Sequence, residues 1–226
     1  MVGPLEFPAF LLRVSPSMSQ TLVNKLGHRI GARGGRTRKA LIEATRGLLD
    51  TRHLGEIRPA DITAAAGVAP SNFYTYFKEV DEPVLALCDD ASADSQGLAA
   101  HLDGDWSAEG AFRTARALVE GMLGVWERHG PILRIEHELA DKGEGAFAES
   151  RIRRLRRLHL ALERRIAQAQ AQGYHPAGLN PRLASYEVAS LIESVAAGFN
   201  LMRRADTPDA ILDTTAHIIA RLVTGR

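Results

Sequence analysis

The most constraining feature of this chain is the segment from Asp61 to Phe77, which predicts two short helices joined by a turn and followed by an aromatic cluster. Asp61 to Ala66 favours a helix that ends at Gly67, because glycine readily adopts the positive φ that many helix ends require. Pro70 stands where a second helix would begin, a position that tolerates a missing backbone N–H. This spacing predicts a helix-turn-helix, a motif whose second helix enters the major groove of DNA.

The side chains of the second helix separate into an apolar face and a polar face. At about 100° per residue, Phe73 and Phe77 fall on one side of the helix. Hydroxyl and amide groups on the opposite side suit base edges, whereas tyrosine hydroxyls and a lysine at the rim can reach phosphates. The expected DNA-binding residues, including two from the start of an earlier helix at Thr37 to Asp50, are Thr37, Arg38, Pro70, Ser71, Asn72, Tyr74, Thr75, Tyr76 and Lys78. The alternative is a buried aromatic helix of some other all-α protein.

The order of these elements resembles a known family. A long amphipathic helix, a short helix, Gly-Val and then Phe-Tyr-Thr-Tyr-Phe are similar to the DNA-binding domain of tetracycline-repressor (TetR) family regulators, over about residues 36 to 90. Within the family, Leu48 to Arg52 followed by Phe73 to Phe77 is most similar to ethionamide-regulator-type members. The resemblance implies a transcriptional regulator, most often a repressor, that a small-molecule effector releases from its operator.

Two positions depart from the family pattern. Arg58 stands where the family usually carries a Ser or Thr N-cap, so the start of that helix must be satisfied in another way. Val80 stands where many members place a Lys that contacts phosphate, and Lys78 is the nearest substitute.

Composition indicates an all-α protein of the cytoplasm. Ala, Leu, Arg and Glu dominate, and the alternation of β-branched residues that marks strands is nearly absent. Cys88 has no partner for an internal disulfide, which favours a reducing compartment. No apolar run approaches the ~18 residues needed to span a membrane, so no membrane partner is expected.

The charge of the chain is unevenly distributed. Residues 1 to 80 carry 11 basic and 6 acidic side chains, whereas residues 81 to 226 carry 17 and 21. A basic amino-terminal part with an acidic remainder places a polyanion such as DNA on the amino-terminal side.

Clusters of Gly and Pro, which interrupt helices, predict that the chain has three regions. We expect a flexible basic extension at residues 1–35, a helix-turn-helix domain of three helices with its linking helix at 36–96, and a helical bundle for ligand binding and dimerisation at 97–226. The extension is either a disordered tail or an arm that lies in the minor groove. About nine helices are expected. They include a first helix from Thr37 to Asp50, a fourth from Pro83 to Leu102, and separate helices at 107–129 and 131–141.

The bundle contains candidate ligand-binding residues at helical spacing. Met, aromatic and a few polar side chains that face a bundle interior are what a site for a small, mostly apolar effector would use. The residues expected to face it are Phe112, Val119, Met122, Trp126, Tyr186, Glu193 and Asn200, with Ile152 on a similar stripe of the long helix. The alternative is ordinary core, and the periodicity does not show that the core is hollow.

The last two helices carry apolar stripes that suggest a homodimer on a palindromic operator. Two recognition helices must lie about 34–36 Å apart to contact successive turns of DNA. The expected interface residues are Leu183, Leu191, Val195, Phe199, Ile211, His217, Ile218 and Leu222. The alternative is that these stripes cover the core of a single bundle.

Other sequence patterns give weaker evidence about function. His137-Glu138 resembles the start of a zinc-binding His-Glu-x-x-His pattern, but Asp141 occupies the second His position, so no metal and no other cofactor is expected. Five arginines between residues 151 and 157 alternate with apolar residues and are expected to form a solvated face, with a second nucleic-acid patch as the alternative. We find no catalytic constellation. The alternatives to a ligand-responsive regulator are a regulator without an effector and a helical enzyme.

Overall fold

The computed structural model describes residues 31–226, which form eight α-helices and three 3-10 segments. The helices are α1 (Ala32–Leu49), α2 (Pro59–Ala65), α3 (Phe73–Tyr76), α4 (Asp81–Ser95), α5 (Ala111–Asp141), α6 (Gly145–Ala171), α7 (Pro181–Met202) and α8 (Pro208–Thr224). The 3-10 segments are Leu54–Glu56, Pro70–Asn72 and Gln96–Asp103. These residues contain no strand, so the all-α prediction is confirmed.

The helix count is lower than expected because α5 is continuous. The prediction that one helix would end at His129 and another begin at Pro131 is wrong, since α5 runs through both residues. Proline inside a helix costs about 3 kcal/mol. Here Trp126 and Leu133, on either side of the proline, are both buried in the same core, so burial of one continuous face outweighs that cost.

Two other helix boundaries differ from the predictions. The helix α1 begins at Ala32, so Thr37 is not its N-cap, and the Thr37 hydroxyl donates to the carbonyl of Arg33 at 3.3 Å. Gly34 and Gly35, which belong to the predicted flexible extension, lie inside the first turn of this helix. The fourth helix ends at Ser95 and continues as a 3-10 segment. The predicted extension lies largely outside the described residues.

The head, which we define as residues 31–80, supplies most of one of the two apolar cores. Phe73, Phe77, Leu41 and Ile62 are almost completely buried there. The core is completed by three residues of α4 and by Ile132 on α5 and Phe147 on α6. The second core lies in the bundle, which we define as α5 to α8, and it also contains the end of α4.

The helix α4 connects the head to the bundle through three of its acidic side chains. Asp90 pairs with Arg46 on α1 at 3.0 Å. Asp89 approaches Arg153 on α6 at 3.5 Å, and Asp94 approaches Arg128 on α5 at 2.9 Å. Each carboxylate thus faces a different helix. Within residues 31–226, none of the helices combines the length and the apolarity that crossing a bilayer requires.

Candidate functional site

The turn of the helix-turn-helix has the predicted backbone conformation. Gly67 has a φ of 65°, and the N–H of Val68 donates to the carbonyl of Thr63 at 3.0 Å, which closes the end of α2. At the start of α2, the N–H of Arg58 donates to a carboxylate oxygen of Asp61 at 2.8 Å. That hydrogen bond and the neighbouring Arg52 lower the pKa of Asp61. Asp61 therefore supplies the half of a capping box in which the third helical residue accepts from the N-cap N–H. The backbone N–H of Asp61, which a Ser or Thr N-cap would have bound, donates instead to the carbonyl of Arg58 at 2.9 Å.

The second helix of the motif is held by its aromatic face. It consists of the 3-10 turn at Pro70–Asn72 followed by α3. The rings of Phe73 and Phe77 are buried with centroids 5.7 Å apart. The guanidinium of Arg38 lies 5.3 Å from the Phe77 ring centroid, so α1 also braces the end of this helix.

The polar side of this helix faces away from the core. Tyr74 is 55% exposed. The other exposed residues of the predicted set are Pro70, Ser71, Thr75 and Lys78, and the half-buried ones are Thr37, Arg38, Asn72 and Tyr76. Tyr76 packs against the head core, so its hydroxyl lies at the rim rather than fully outside. The surface has the predicted polarity, and the assignment of its residues to bases and phosphates stays a prediction.

A buried ionic network joins three helices of the bundle. Arg154 on α6 is completely buried, and its Nε lies 2.8 Å from Oε2 of Glu136 on α5. Its Nη1 lies 2.8 Å from Oε1 of Glu193 on α7. Ser150 donates to the other oxygen of Glu136 at 2.7 Å, and His137 lies 3.5 Å from Glu193.

The network keeps the carboxylate of Glu193 ionised. Burial alone would raise the pKa of Glu193, but His137 and Arg154 outweigh it and lower the pKa from 4.5 to about 2. A buried ion pair is stable only when its charges satisfy one another, because their desolvation is expensive. The network therefore fixes how α5, α6 and α7 pack together.

The expectation of a solvated arginine face was wrong for Arg154. A signal in the sequence could have found it, since Arg154 lies four residues from both Ser150 and Leu158, on the stripe that α6 buries. Ile152, which we expected on the buried stripe, is instead 49% exposed.

The predicted ligand-binding residues do not form one cluster. Val119, Met122 and Trp126 are buried in the bundle core, and Phe112 is packed at its edge. Glu193 is buried too, but it belongs to the ionic network. Tyr186 is 41% exposed with its ring against His159, and Asn200 is exposed, so the expectation that both face the interior was wrong. Ligand binding at any of these residues stays a prediction.

Some of the predicted dimer-interface residues are likewise buried, and others are exposed. Val195, Phe199 and Ile211 are buried in the core of their own bundle, and Leu191 packs against it, so they are not available to a partner as expected. The predicted residues that remain exposed are Leu183, His217, Ile218 and Leu222. Leu201, which we did not predict, is 68% exposed. The described residues contain no group of three or more His, Cys, Asp or Glu side chains that could hold a metal ion.

The fold and the head together define a class: all-helical transcriptional regulators with an amino-terminal helix-turn-helix. Residues 98–225 match the family model of the tetracyclin repressor-like C-terminal domain, which covers more than half of the chain. The chain belongs to the TetR family. The predicted family is thus confirmed, whereas the narrower resemblance to ethionamide-regulator-type members stays a prediction.

Solved structures share this fold at low sequence identity. NalD from Pseudomonas aeruginosa, the secondary repressor of the MexAB-OprM multidrug efflux pump, is similar with a TM-score of 0.63 and 20% identity, over 84% of this chain and 98% of its own. FadR from Bacillus subtilis, in complex with stearoyl-CoA, has a TM-score of 0.59 and 14% identity over 83% and 98%. AibR, in complex with isovaleryl coenzyme A and operator DNA, has a TM-score of 0.58 and 18% identity over 84% and 98%. No curated protein sequence matches this chain significantly.

Proposed function

We propose that this protein is a sequence-specific DNA-binding repressor that a small, mostly apolar effector releases from its operator. The observation that carries the proposal is the polar outer face of the second helix of the motif, Pro70–Asn72 and α3, which the aromatic side holds on the core in a chain of the TetR family. The structure of AibR contains operator DNA, which supports the same use of this fold.

DNA binding is tested by footprinting and gel shifts on the DNA upstream of the protein's own gene. Lys78→Ala should weaken binding to every sequence and flatten the dependence of affinity on salt, because it removes about one phosphate contact. Lys142→Ala is the matched control, since Lys142 lies at the end of α5 and pairs with Glu138. Equal affinity and salt dependence for both variants would contradict the assignment of Lys78.

The effector proposal rests on the apolar interior of the bundle and on two similar structures. FadR holds stearoyl-CoA and AibR holds isovaleryl coenzyme A. We propose an acyl thioester or a similar, mostly apolar molecule near Met122 and Trp126. A ligand changes DNA affinity only by the difference in its affinity for two arrangements, typically ~1–3 kcal/mol. The helix α4 is the natural lever, because its three ion pairs reach both the head and the bundle.

A series of acyl-CoA esters of increasing chain length, added to a gel shift, tests this proposal. Release of DNA by one length class, and loss of that release in Trp126→Ala, would support it. Trp106→Phe is the control, because Trp106 is the other tryptophan of the same core but precedes α5 and donates to the carbonyl of His101. DNA binding that no ester affects would favour a regulator without an effector.

We further propose that the protein acts as a homodimer through the outer faces of α7 and α8. Leu183, Ile218 and Leu222 remain between 42% and 59% exposed, and a Cβ built on Gly198 would meet no atom within 4 Å, which leaves room for close approach of another helix. Light scattering should show a dimer at micromolar concentration. Ile218→Arg should shift it toward monomer, whereas Ile152→Arg, an equally exposed position on α6, should not.

A further inference from the structure

An open groove lies between the head and α5, outside the bundle core. Its volume is about 940 Å³, within the range of small-molecule sites. One wall is formed by the segment between α1 and α2 and by the start of α4, and the other by the second half of α5. The groove thus lies where the DNA-binding head meets the bundle.

The floor of the groove is apolar. Leu54, Val80, Ile135 and Leu139 line it, and each of these side chains is only half-buried although it packs against the head core. When an apolar group covers half-exposed apolar side chains in a concave surface, apolar area is removed from water, which favours binding.

The rim of the groove is cationic. Two of its basic residues are neutralised, since Lys142 pairs with Glu138 at 2.6 Å and Arg52 approaches Asp61 at 3.3 Å. Arg58 and Arg134 also line the groove, and no carboxylate of residues 31–226 forms an ion pair with either of them. Asp81 is the acidic lining residue outside these pairs. The unpaired rim charge is therefore mainly positive.

Arg134 connects the groove to the bundle. Its guanidinium lies 5.6 Å from the ring centroid of Trp126, and its Nη2 donates to the carbonyl of Ala197 on α7 at 3.3 Å. An anion in the groove would compete with both contacts, because a carboxylate is a stronger partner for a guanidinium than a ring or a carbonyl.

We propose that this groove binds an amphipathic anion, a carboxylate on an aliphatic chain, with the chain on the apolar floor and the carboxylate on Arg134. Charge complementarity selects an anion over a cation, and the half-exposed floor selects a chain over a small ion. Binding breaks the contacts of Arg134 with Trp126 and with the Ala197 carbonyl on α7, so a ligand in the groove changes contacts inside the bundle as well as covering the head.

Decanoate is the probe, compared with decanol and decylamine, which share its chain but carry no charge or a positive charge. The Trp106→Phe protein leaves Trp126 as its single tryptophan, since the chain has two, so its fluorescence follows the contact with Arg134. Decanoate should change this emission with saturation, and calorimetry should give the same affinity. Decanol and decylamine should each bind about tenfold or more weakly, because a charge-assisted hydrogen bond is lost.

Two variants and a control decide the outcome. Arg134→Met keeps an apolar stem and should weaken decanoate by about tenfold or more without affecting decanol. Ile135→Glu puts a carboxylate on the floor and should prevent binding of decanoate and decanol. Arg157→Met, an exposed arginine on α6, should bind decanoate as the unaltered protein does.

Three results would overturn the proposal: no saturable binding of decanoate, equal binding of decanoate and decanol, or an Arg134→Met variant that binds decanoate normally. A change of molecular mass in Ile135→Glu by light scattering would also overturn it, because the groove would then be an interface between copies. These binding measurements contain no DNA, so they stand if the proposed repressor function fails. An effect of decanoate on operator affinity, in contrast, rests on that function.

Discussion

The head and the bundle handle polar groups in opposite ways. In the head, the buried polar side chains are Thr45 and Thr63, whose hydroxyls donate to carbonyls of their own helices at 2.9 and 3.0 Å. In the bundle, two carboxylates and a guanidinium from three helices are buried together. Both parts have an apolar core, but the bundle also depends on a buried ion-pair network. An apolar core tolerates volume-conserving substitutions better than a buried ion pair tolerates the loss of one partner.

The largest expected effect comes from breaking the bundle network. Arg154→Met should lower the free energy of unfolding by about 3–5 kcal/mol. It leaves Glu136 buried without a cation, and Glu193 keeps only the more distant His137 and Arg151 at 3.5 Å. Chemical denaturation followed by circular dichroism measures this loss. Arg157→Met on the same helix is exposed and should change stability by no more than about 0.5 kcal/mol. Similar stabilities for the two variants would show that the network contributes little.

Acid should weaken the bundle through the same network. The pKa of Glu193 is lowered in the folded protein to about 2, so the folded state is stabilised while the carboxylate is ionised. This stabilisation is present above the ordinary pKa of 4.5 and is lost as the pH falls toward about 2. The loss amounts to roughly 3 kcal/mol from a shift of this size. Glu193→Gln removes the titrating group, so a variant with unchanged acid sensitivity would contradict this origin.

The contrast also explains what the sequence could and could not predict. The polarity of the head follows from neighbouring residues, since Gly67, Phe73 and Phe77 reveal the turn and the buried face at short range. The partners of Arg154 lie 18 residues before it on α5 and 39 residues after it on α7, so no local pattern shows them. The continuity of α5 was missed for a similar reason, because burial by distant helices overrides the local effect of Pro131.

Exposure on α7 was the least predictable property of the bundle. Val195 and Phe199 lie on the buried side of this helix, whereas Leu183 and Leu201 lie on its exposed side, and all four are apolar. An apolar helix face indicates that the face is buried, but it does not show whether the protein's own core or a partner buries it. The helical spacing therefore predicted the stripes but not which of them remains open.

A smaller effect is expected where helices begin. The side chain of Asn180 accepts hydrogen bonds from the N–H groups of Arg182 and Leu183 at 3.0 and 3.2 Å. Asn180→Ala should therefore cost about 1 kcal/mol in thermal or chemical denaturation. Asn200→Ala, on the exposed side near the other end of α7, is the matched control and should be nearly neutral. In the head, by contrast, the N-cap of α2 is Arg58, whose side chain accepts no hydrogen bond but whose N–H donates to Asp61.

We propose that the outward face of Pro70–Asn72 and α3 recognises DNA, while the aromatic face of this helix holds it in place. The most direct measurement is operator affinity for Asn72→Ala and Tyr76→Phe, beside the matched controls Asn200→Ala and Tyr174→Phe, whose positions lie on α7 and just after α6. Asn72→Ala should weaken the free energy of operator binding by about 1–3 kcal/mol and relax the sequence preference at one base pair. Tyr76→Phe should weaken binding to all sequences alike, because it removes a phosphate contact, and both controls should bind normally. Unchanged affinity in both Asn72→Ala and Tyr76→Phe would contradict the claim.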